Sequence, residues 1–196
     1  MRCDPRGFTH SAPAPAAFTM VELIIAAAIL AIAISALLGS FIGQVTLNEH
    51  SRNLTWAIND ATRVMEQVRV QNMSPCVGGN VPSAAAPSGF ASWDAWLAGP
   101  PSPAVPAGGG GKSIQPDPAT NELLTVTCRN QSNTAFCVAG DDPIRLSVAV
   151  CWRHRTRTIG ECTWDGVNLA ANPSAGGDPT VTESPTMLTT IMTCRQ

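Results

Sequence analysis

One stretch of the chain leaves little choice of surroundings. Between Leu23 and Gly43 the sequence reads LIIAAAILAIAISALLGSFIG, without a charged residue and with only Ser35 and Ser40 as polar side chains. Wound as an α-helix at ~1.5 Å per residue, this run reaches about 31 Å, which matches a bilayer hydrocarbon core of ~30 Å. The apolar region of an export signal covers ~7–15 residues and ends at a small-residue cleavage site. This run is longer, and no A-x-A site closes it. A membrane-spanning helix is expected. Residues 1–17 carry Arg2 and Arg6 against Asp4, so the basic excess keeps that end cytoplasmic and the remainder is exported.

Composition narrows the classes further. Lys and Arg number 12 against 14 Asp and Glu, a net charge of -2, in 196 residues. That balance provides no bulk attraction to phosphate and argues against nucleic acid as a partner. Charged residues are 13% of the chain, about half the share usual in soluble domains. Once the apolar run is set aside, a large enzyme core is hard to fit, and no activity or cofactor is expected.

Glu22 stands at the very edge of the apolar run. An ionisable group there costs roughly 2–3 kcal/mol and calls for a partner. With its neighbours, Ala17-Phe18-Thr19-Met20-Val21-Glu22-Leu23 resembles the prepilin cleavage and methylation motif of type IV pilins and type II secretion pseudopilins. In that family a short basic leader is removed on the cytoplasmic side, immediately before a Phe that is then N-methylated. The fifth mature residue is Glu, followed by an apolar helix. The resemblance therefore implies cleavage between Ala17 and Phe18, N-methylation of Phe18, and an assembly role for Glu22. Ala17 departs from the family's usual Gly and is its mildest replacement. Gly7-Phe8-Thr9 offers the Gly, but the fifth residue from Phe8 is Ala12, and Pro13 and Pro15 forbid a membrane helix there.

Cleavage would leave a cationic amine on Phe18, for which Glu22 is the natural counterion, within one chain or between neighbours. In the family this pairing draws an incoming subunit into register. A Glu that merely snorkels to the interface is the plainer alternative. The resemblance further implies a structural subunit, a minor pilin or pseudopilin of a type IV pilus-like filament. Its partners would be other pilin or pseudopilin subunits, prepilin peptidase, an inner-membrane assembly platform and membrane lipid. Its place would be the inner membrane as a single-pass protein with a periplasmic or extracellular head, and the filament after assembly. A type II secretion pseudopilin, or a single-pass anchored binding domain that never polymerises, stands beside that reading.

The organisation expected is a leader over 1–17, a membrane or filament-core helix over 18–45, an amphipathic helix half over 46–73, a Pro/Gly/Ala-rich loop over 74–121 and a sheet over 122–196. In the second helix half, Leu54, Ile58, Ala61, Met65 and Val68 recur at helical steps, with Arg52, Asp60, Arg63, Glu66 and Arg69 elsewhere. Pro75 should end a helix that starts at Phe18 and runs to about Met73. Gly39 and Gly43 make either a weak point in it or a place for close helix packing. In the loop, Ser92 to Leu97 reads as a short helix capped by Ser92 and stopped by Gly99, its tryptophans packing on the head. Alternation over Leu124–Cys128 and Ile144–Arg153, with shorter stretches at Thr158–Trp164 and Thr186–Cys194, predicts about four antiparallel strands, and residues near 146–164 form the expected hairpin. The fold class is α+β, a pilin-like long helix packed on a small sheet.

Seven cysteines are present, and assigning Cys3 to the leader leaves Cys76, Cys128, Cys137, Cys151, Cys162 and Cys194. In an oxidising compartment an even set reads as up to three disulfides, with fifteen connectivities open. Cys128 with Cys137 and Cys151 with Cys162 are the closest pairs in sequence. Zinc is the competing use, but there is no C-x-x-C, and His154 has no matching partner, so no metal is expected.

Other constellations are thin. Gly111-Lys112-Ser113 resembles the end of a phosphate-binding loop, but Pro106 occupies the earlier glycine position, which leaves a flexible loop. His10, His50 and His154 are scattered and fit no catalytic order. Arg153, Arg155 and Arg157 alternate, so on one extended strand they would share a face as a binding stripe or a solvated one. Gly140-Asp141-Asp142-Pro143 reads as a turn, with calcium as a weaker alternative. Asn53-Leu54-Thr55 and Asn130-Gln131-Ser132 match glycosylation acceptors without further support.

Overall fold

The structure is a computed structural model that describes residues 19–73, 82–101, 107–114, 121–133, 135–138, 140–173 and 181–193. The fold is α+β: a long N-terminal apolar helix and a small antiparallel sheet. The chain divides into two compact units, Met1–Thr46 and Leu47–Gln196.

Helix α1 (Met20–Gln71) contributes to both units. In the first it is apolar and exposed all round, and it runs unbroken through Gly39 and Gly43, where a Cβ would meet nothing within 4 Å. Two of its hydroxyls bond back to the helix: Ser35 Oγ donates to the Ala31 carbonyl at 2.8 Å and Thr46 Oγ1 to that of Ile42 at 3.0 Å. Such back-bonding lowers the cost of placing these two hydroxyls in apolar surroundings.

In the second unit α1 buries Asn53, Ala57, Asp60, Ala61, Val64, Met65 and Val68. This corrects the expected face at two positions, because Ile58 is 43% exposed and Asp60 is fully buried. The stripe is centred on Ala57, Ala61, Val64 and Val68, whose small side chains admit the sheet; Asp60 is tolerated inside because donors surround it. Asn72 ends the helix: its side-chain amide donates to the carbonyls of Val68 (2.7 Å) and Ser83 (3.0 Å), and its oxygen accepts from Ser83 N at 2.7 Å. Pro75, the expected stop, lies outside the described residues.

The principal sheet joins β1 (Glu122–Asn130), β2 (Ile144–His154), β3 (Arg157–Ile159) and β6 (Met187–Met192), all antiparallel, with β2 at the centre. β1 pairs along one edge of β2 from Glu122 opposite Trp152 to Asn130 opposite Ile144. The other edge is shared, β6 taking Ile144–Ala149 and β3 taking Trp152–His154. One face, with Leu124, Leu146, Val148, Val150 and Trp152, packs on the buried stripe of α1. Each fully buried Val or Leu there contributes about 1.5–3 kcal/mol.

The expected stretch Thr158–Trp164 is two strands, not one. At Gly160 (φ +92) the chain turns out of the principal sheet, and a Cβ there would stand 2.8 Å from Cys151 Sγ. Beyond it β4 (Cys162–Trp164) pairs with β5 (Leu169–Ala171), an element the sequence did not suggest. Asp165 Oδ1 closes their turn by accepting from the amides of Val167 and Asn168, both at 2.7 Å, and these bonds hold its carboxyl below the usual range. Cys151, Cys162 and Leu169 form a second small core with Leu123 and Trp164. β2 is therefore buried on both faces from Leu146 to Trp152, where plain alternation implied one.

Disulfides join Cys128 to Cys137, bridging Cα atoms 5.4 Å apart, and Cys151 to Cys162, 6.2 Å apart. The second ties the β4–β5 hairpin to the central strand, and closing such a short loop adds about 3 kcal/mol in the chain-entropy account. Cys76 and Cys194 lie outside the described residues.

The largest departure concerns the four glycines at 108–111. Gly108 and Gly109 are tightly packed, and Gly108 to Gly111 all donate backbone hydrogen bonds. Helix α2 (Trp93–Ala98) is capped by Ser92 Oγ accepting from Ala95 N at 3.1 Å, and it buries Trp93 and Trp96. The glycine segment lies along its end: Gly109 N donates to Trp96 O (2.7 Å), Gly110 N to Gly99 O and Gly111 N to Leu97 O (both 2.9 Å). A Cβ on Gly108 would sit 2.4 Å from the Gly99 carbonyl carbon. Only a backbone without side chains can approach this closely.

Candidate functional site

The N-terminal turn of α1 carries the motif residues that the structure describes. Thr19 caps the helix, its Oγ1 accepting from Glu22 N at 3.3 Å while its carbonyl accepts from Leu23 N at 3.2 Å. Thr-x-x-Glu is thus the sequence of a capping box, with Glu22 at the third helical position. A carboxylate there also faces the positive end of the helix dipole. This cap by Thr19 was missed in the sequence, although the spacing Thr19-Met20-Val21-Glu22 was its signal. Ala17 and Phe18 lie outside the described residues.

Behind Glu22, Ile24, Ile25, Ile29, Leu30, Ile32 and Leu37 are 54–71% exposed on all sides of α1. The helix is long and apolar enough to cross a membrane. Chemically such a surface binds lipid tails or other apolar helices and offers no polar chemistry.

Arg153, Arg155 and Arg157 do not share a strand face. β2 ends at His154 and turns through Arg155 (φ 56) and Thr156, so that Arg157 pairs with His154 and Arg153 with Thr158. Arg153 and Arg157 therefore point to opposite faces of the hairpin. The guanidinium of Arg153 lies 4.3 Å from the ring centroid of Trp164, and Arg155 Nη2 reaches Glu49 Oε2 at 3.5 Å. A turn lacking Gly, Asn or Asp gives no sequence signal, which is why the alternation read as one strand.

Two of the three histidines, taken from the sequence as scattered, meet. The rings of His50 on α1 and His154 on β2 have centroids 5.8 Å apart, and His50 also lies 6.1 Å from Trp152. His50 precedes Asn53 and Ala57 by one and two helical turns, so a stripe centred on Ala57 would have included it. Among the described residues no group of three or more His, Cys, Asp or Glu is placed to hold a metal ion. Asn53 is 2% exposed, which closes that glycosylation sequence to modification in the folded head. Gly140–Pro143 makes a turn in which Val138 N donates to Asp141 Oδ2 at 2.8 Å and Asp141 N to the Val138 carbonyl at 3.1 Å.

Compared with family models, with curated proteins and with solved structures, the chain matches none.

Proposed function

We propose that the chain is a structural subunit of a type IV pilus-like filament, a minor pilin or pseudopilin, processed before Phe18 and assembled through α1. The observation that carries this reading is the register of Phe18, Glu22 and the apolar helix: a Phe followed by Glu at the fifth position, with an uncharged run starting at the next residue. The exposed apolar surface of α1 supports it, since that surface needs lipid before assembly and other helices after it. Pilus and type II secretion pseudopilus are both covered, as both are built through the same N-terminus. Glu22 would serve as counterion to the Phe18 amine in a low-dielectric setting. No catalytic activity is assigned.

The capping-box position of Glu22 dictates which variant tests this. Glu22→Gln keeps a side chain able to complete a capping box but removes the charge. Membrane levels should persist while incorporation into sheared filaments falls at least about tenfold, as loss of one charge pair worth ~1.4 kcal/mol requires. Normal incorporation would remove the proposed role of Glu22. Mass spectrometry of the N-terminal peptide is the prior check: an N-methylated Phe18 start that depends on an active prepilin peptidase is expected. An uncut Met1 start, or one beyond Gly43, would overturn the proposal.

A further inference from the structure

Three carboxylates and two cations are gathered in the head around the segment 107–114. Asp60 of α1 is fully buried; its Oδ1 accepts from Arg63 Nη2 and from Ser113 Oγ (2.8 Å), and its Oδ2 from Ser113 N (2.8 Å). Arg63 continues to the segment itself, donating to the carbonyls of Gly109 and Gly111, both at 2.7 Å. On the far side Lys112 Nζ, its side chain 4% exposed, donates to Asp94 Oδ2 of α2 at 2.8 Å and to the Glu122 carbonyl at 2.7 Å. Asp94 Oδ1 accepts from Leu124 N at 2.9 Å, which anchors α2 to β1.

Glu122 is the member left over. It is 1% exposed; Oε2 accepts from Ile114 N at 3.1 Å, whereas Oε1 is buried with no donor directed to it. The group within hydrogen-bonding reach of this side chain is the Asp60 carboxylate. Two carboxylates are both acceptors, so they can bond only if one holds a proton. Charge counting agrees: Arg63 and Lys112 balance Asp60 and Asp94, and a third buried negative charge would be uncompensated.

We propose that Asp60 and Glu122 share one proton, and that this proton is a catch: its loss releases the glycine-rich segment 107–114 from the head. Ser113 N and Ile114 N hang the segment on the two carboxylates, one each. When both are charged, their repulsion is relieved by moving apart and admitting water, and the segment is the element that both of them hold. The charged groups acting on Glu122 are Asp60 from α1 and Lys112 from the segment; Arg63 of α1 stands behind them on Asp60, and Asp94 of α2 on Lys112. From β2 Glu122 meets Trp152, its cross-strand partner, which does not titrate and which in turn stands against His50.

Burial first, and then Asp60 by charge and by hydrogen bond, push the Glu122 carboxyl up to about 8 from its ordinary 4.5. Because the closed form holds the proton more tightly than the open one, the catch is at full strength below about pH 4.5. It weakens as pH rises, and is lost as pH passes through about 8. Opening should therefore grow about tenfold per pH unit over that window.

The test is native-state hydrogen exchange of the full chain in detergent micelles from about pH 5 to 8, corrected for intrinsic rates. Peptides covering 107–114 should lose protection by a factor on the order of a thousand, while Val148 and Val150 in β2 lose far less. Glu122→Gln, a neutral isostere that still donates to Asp60, should flatten this dependence. Protection that does not change with pH, or an equal slope in E122Q, would overturn the proposal. If E122Q does not fold, the infrared carbonyl band of a protonated carboxyl decides on the native chain. It should be present near pH 6 and lost by about pH 9, and its absence near pH 6 overturns the shared proton.

Discussion

The two parts of α1 share one backbone geometry and live under opposite rules. From Met20 to Val45 the large apolar side chains point outward on every side, and no charge interrupts Leu23–Gly43. Past Thr46 the large side chains on the outside are mixed with Arg52, Glu66 and Arg69, while the inside is made of Ala57, Ala61, Val64 and Val68. The hydrogen-bond ladder is the same in both, so helix formation alone says nothing of what a helix is for. What differs is the solvent each part is written for. A surface that is apolar all round cannot stand in water, whereas a narrow stripe of small residues needs another protein element to cover it.

That contrast can be broken at chosen positions. The largest effect is expected in the head: Trp152→Ala removes a fully buried indole from the core shared with α1. It should lower head stability by about 3–5 kcal/mol in denaturant melts, with membrane extraction of the chain unchanged. Next, Ile32→Arg places a charge in the middle of the apolar part. An insertion assay should record a shift of about 3 kcal/mol against membrane integration, with the head melt unaltered. Gly108→Ala forces a Cβ onto the Gly99 carbonyl; a loss of about 1–3 kcal/mol in the head melt is expected, as for other overpacked sites. Smallest of all, Ile58→Arg on the outer side of the second part should change the melt by no more than ~0.5 kcal/mol. Equal costs for Ile32→Arg and Ile58→Arg in their two assays would erase the distinction between the parts.

Much of this was legible beforehand, for a reason that can be named. The apolar run, the short Ser92-capped helix, β1 and β2 are local patterns, each readable from its own period or cap. The two cysteine pairs nearest in sequence are both joined. Asp60 and Glu122 were not legible, because what makes a buried acid tolerable is the set of donors folded onto it: Ser113 reaches Asp60 from 53 residues away, and its neighbour Ile114 meets Glu122 only because the segment folds back between them. Ile58 failed for the complementary reason, since a helix of mixed composition has several candidate stripes, and only the position of the sheet chooses among them. The GGGG run misled most. Glycine reads as flexibility in a sequence, yet its missing side chain is also what allows a backbone to lie against Trp96 and Gly99.

By itself, then, the sequence determined where an apolar helix must lie, that Glu22 stands at its threshold, and that an α+β head follows, because periodicity, capping and charge exclusion act over a few residues. Tertiary structure alone decided that β2 is covered on both faces, that the arginines part at a hairpin turn, that His50 meets His154, and that a buried acid hangs on a glycine segment. Those features depend on which distant groups come into contact, and contact between distant groups is set by packing the whole head at once, not by any one stretch of it.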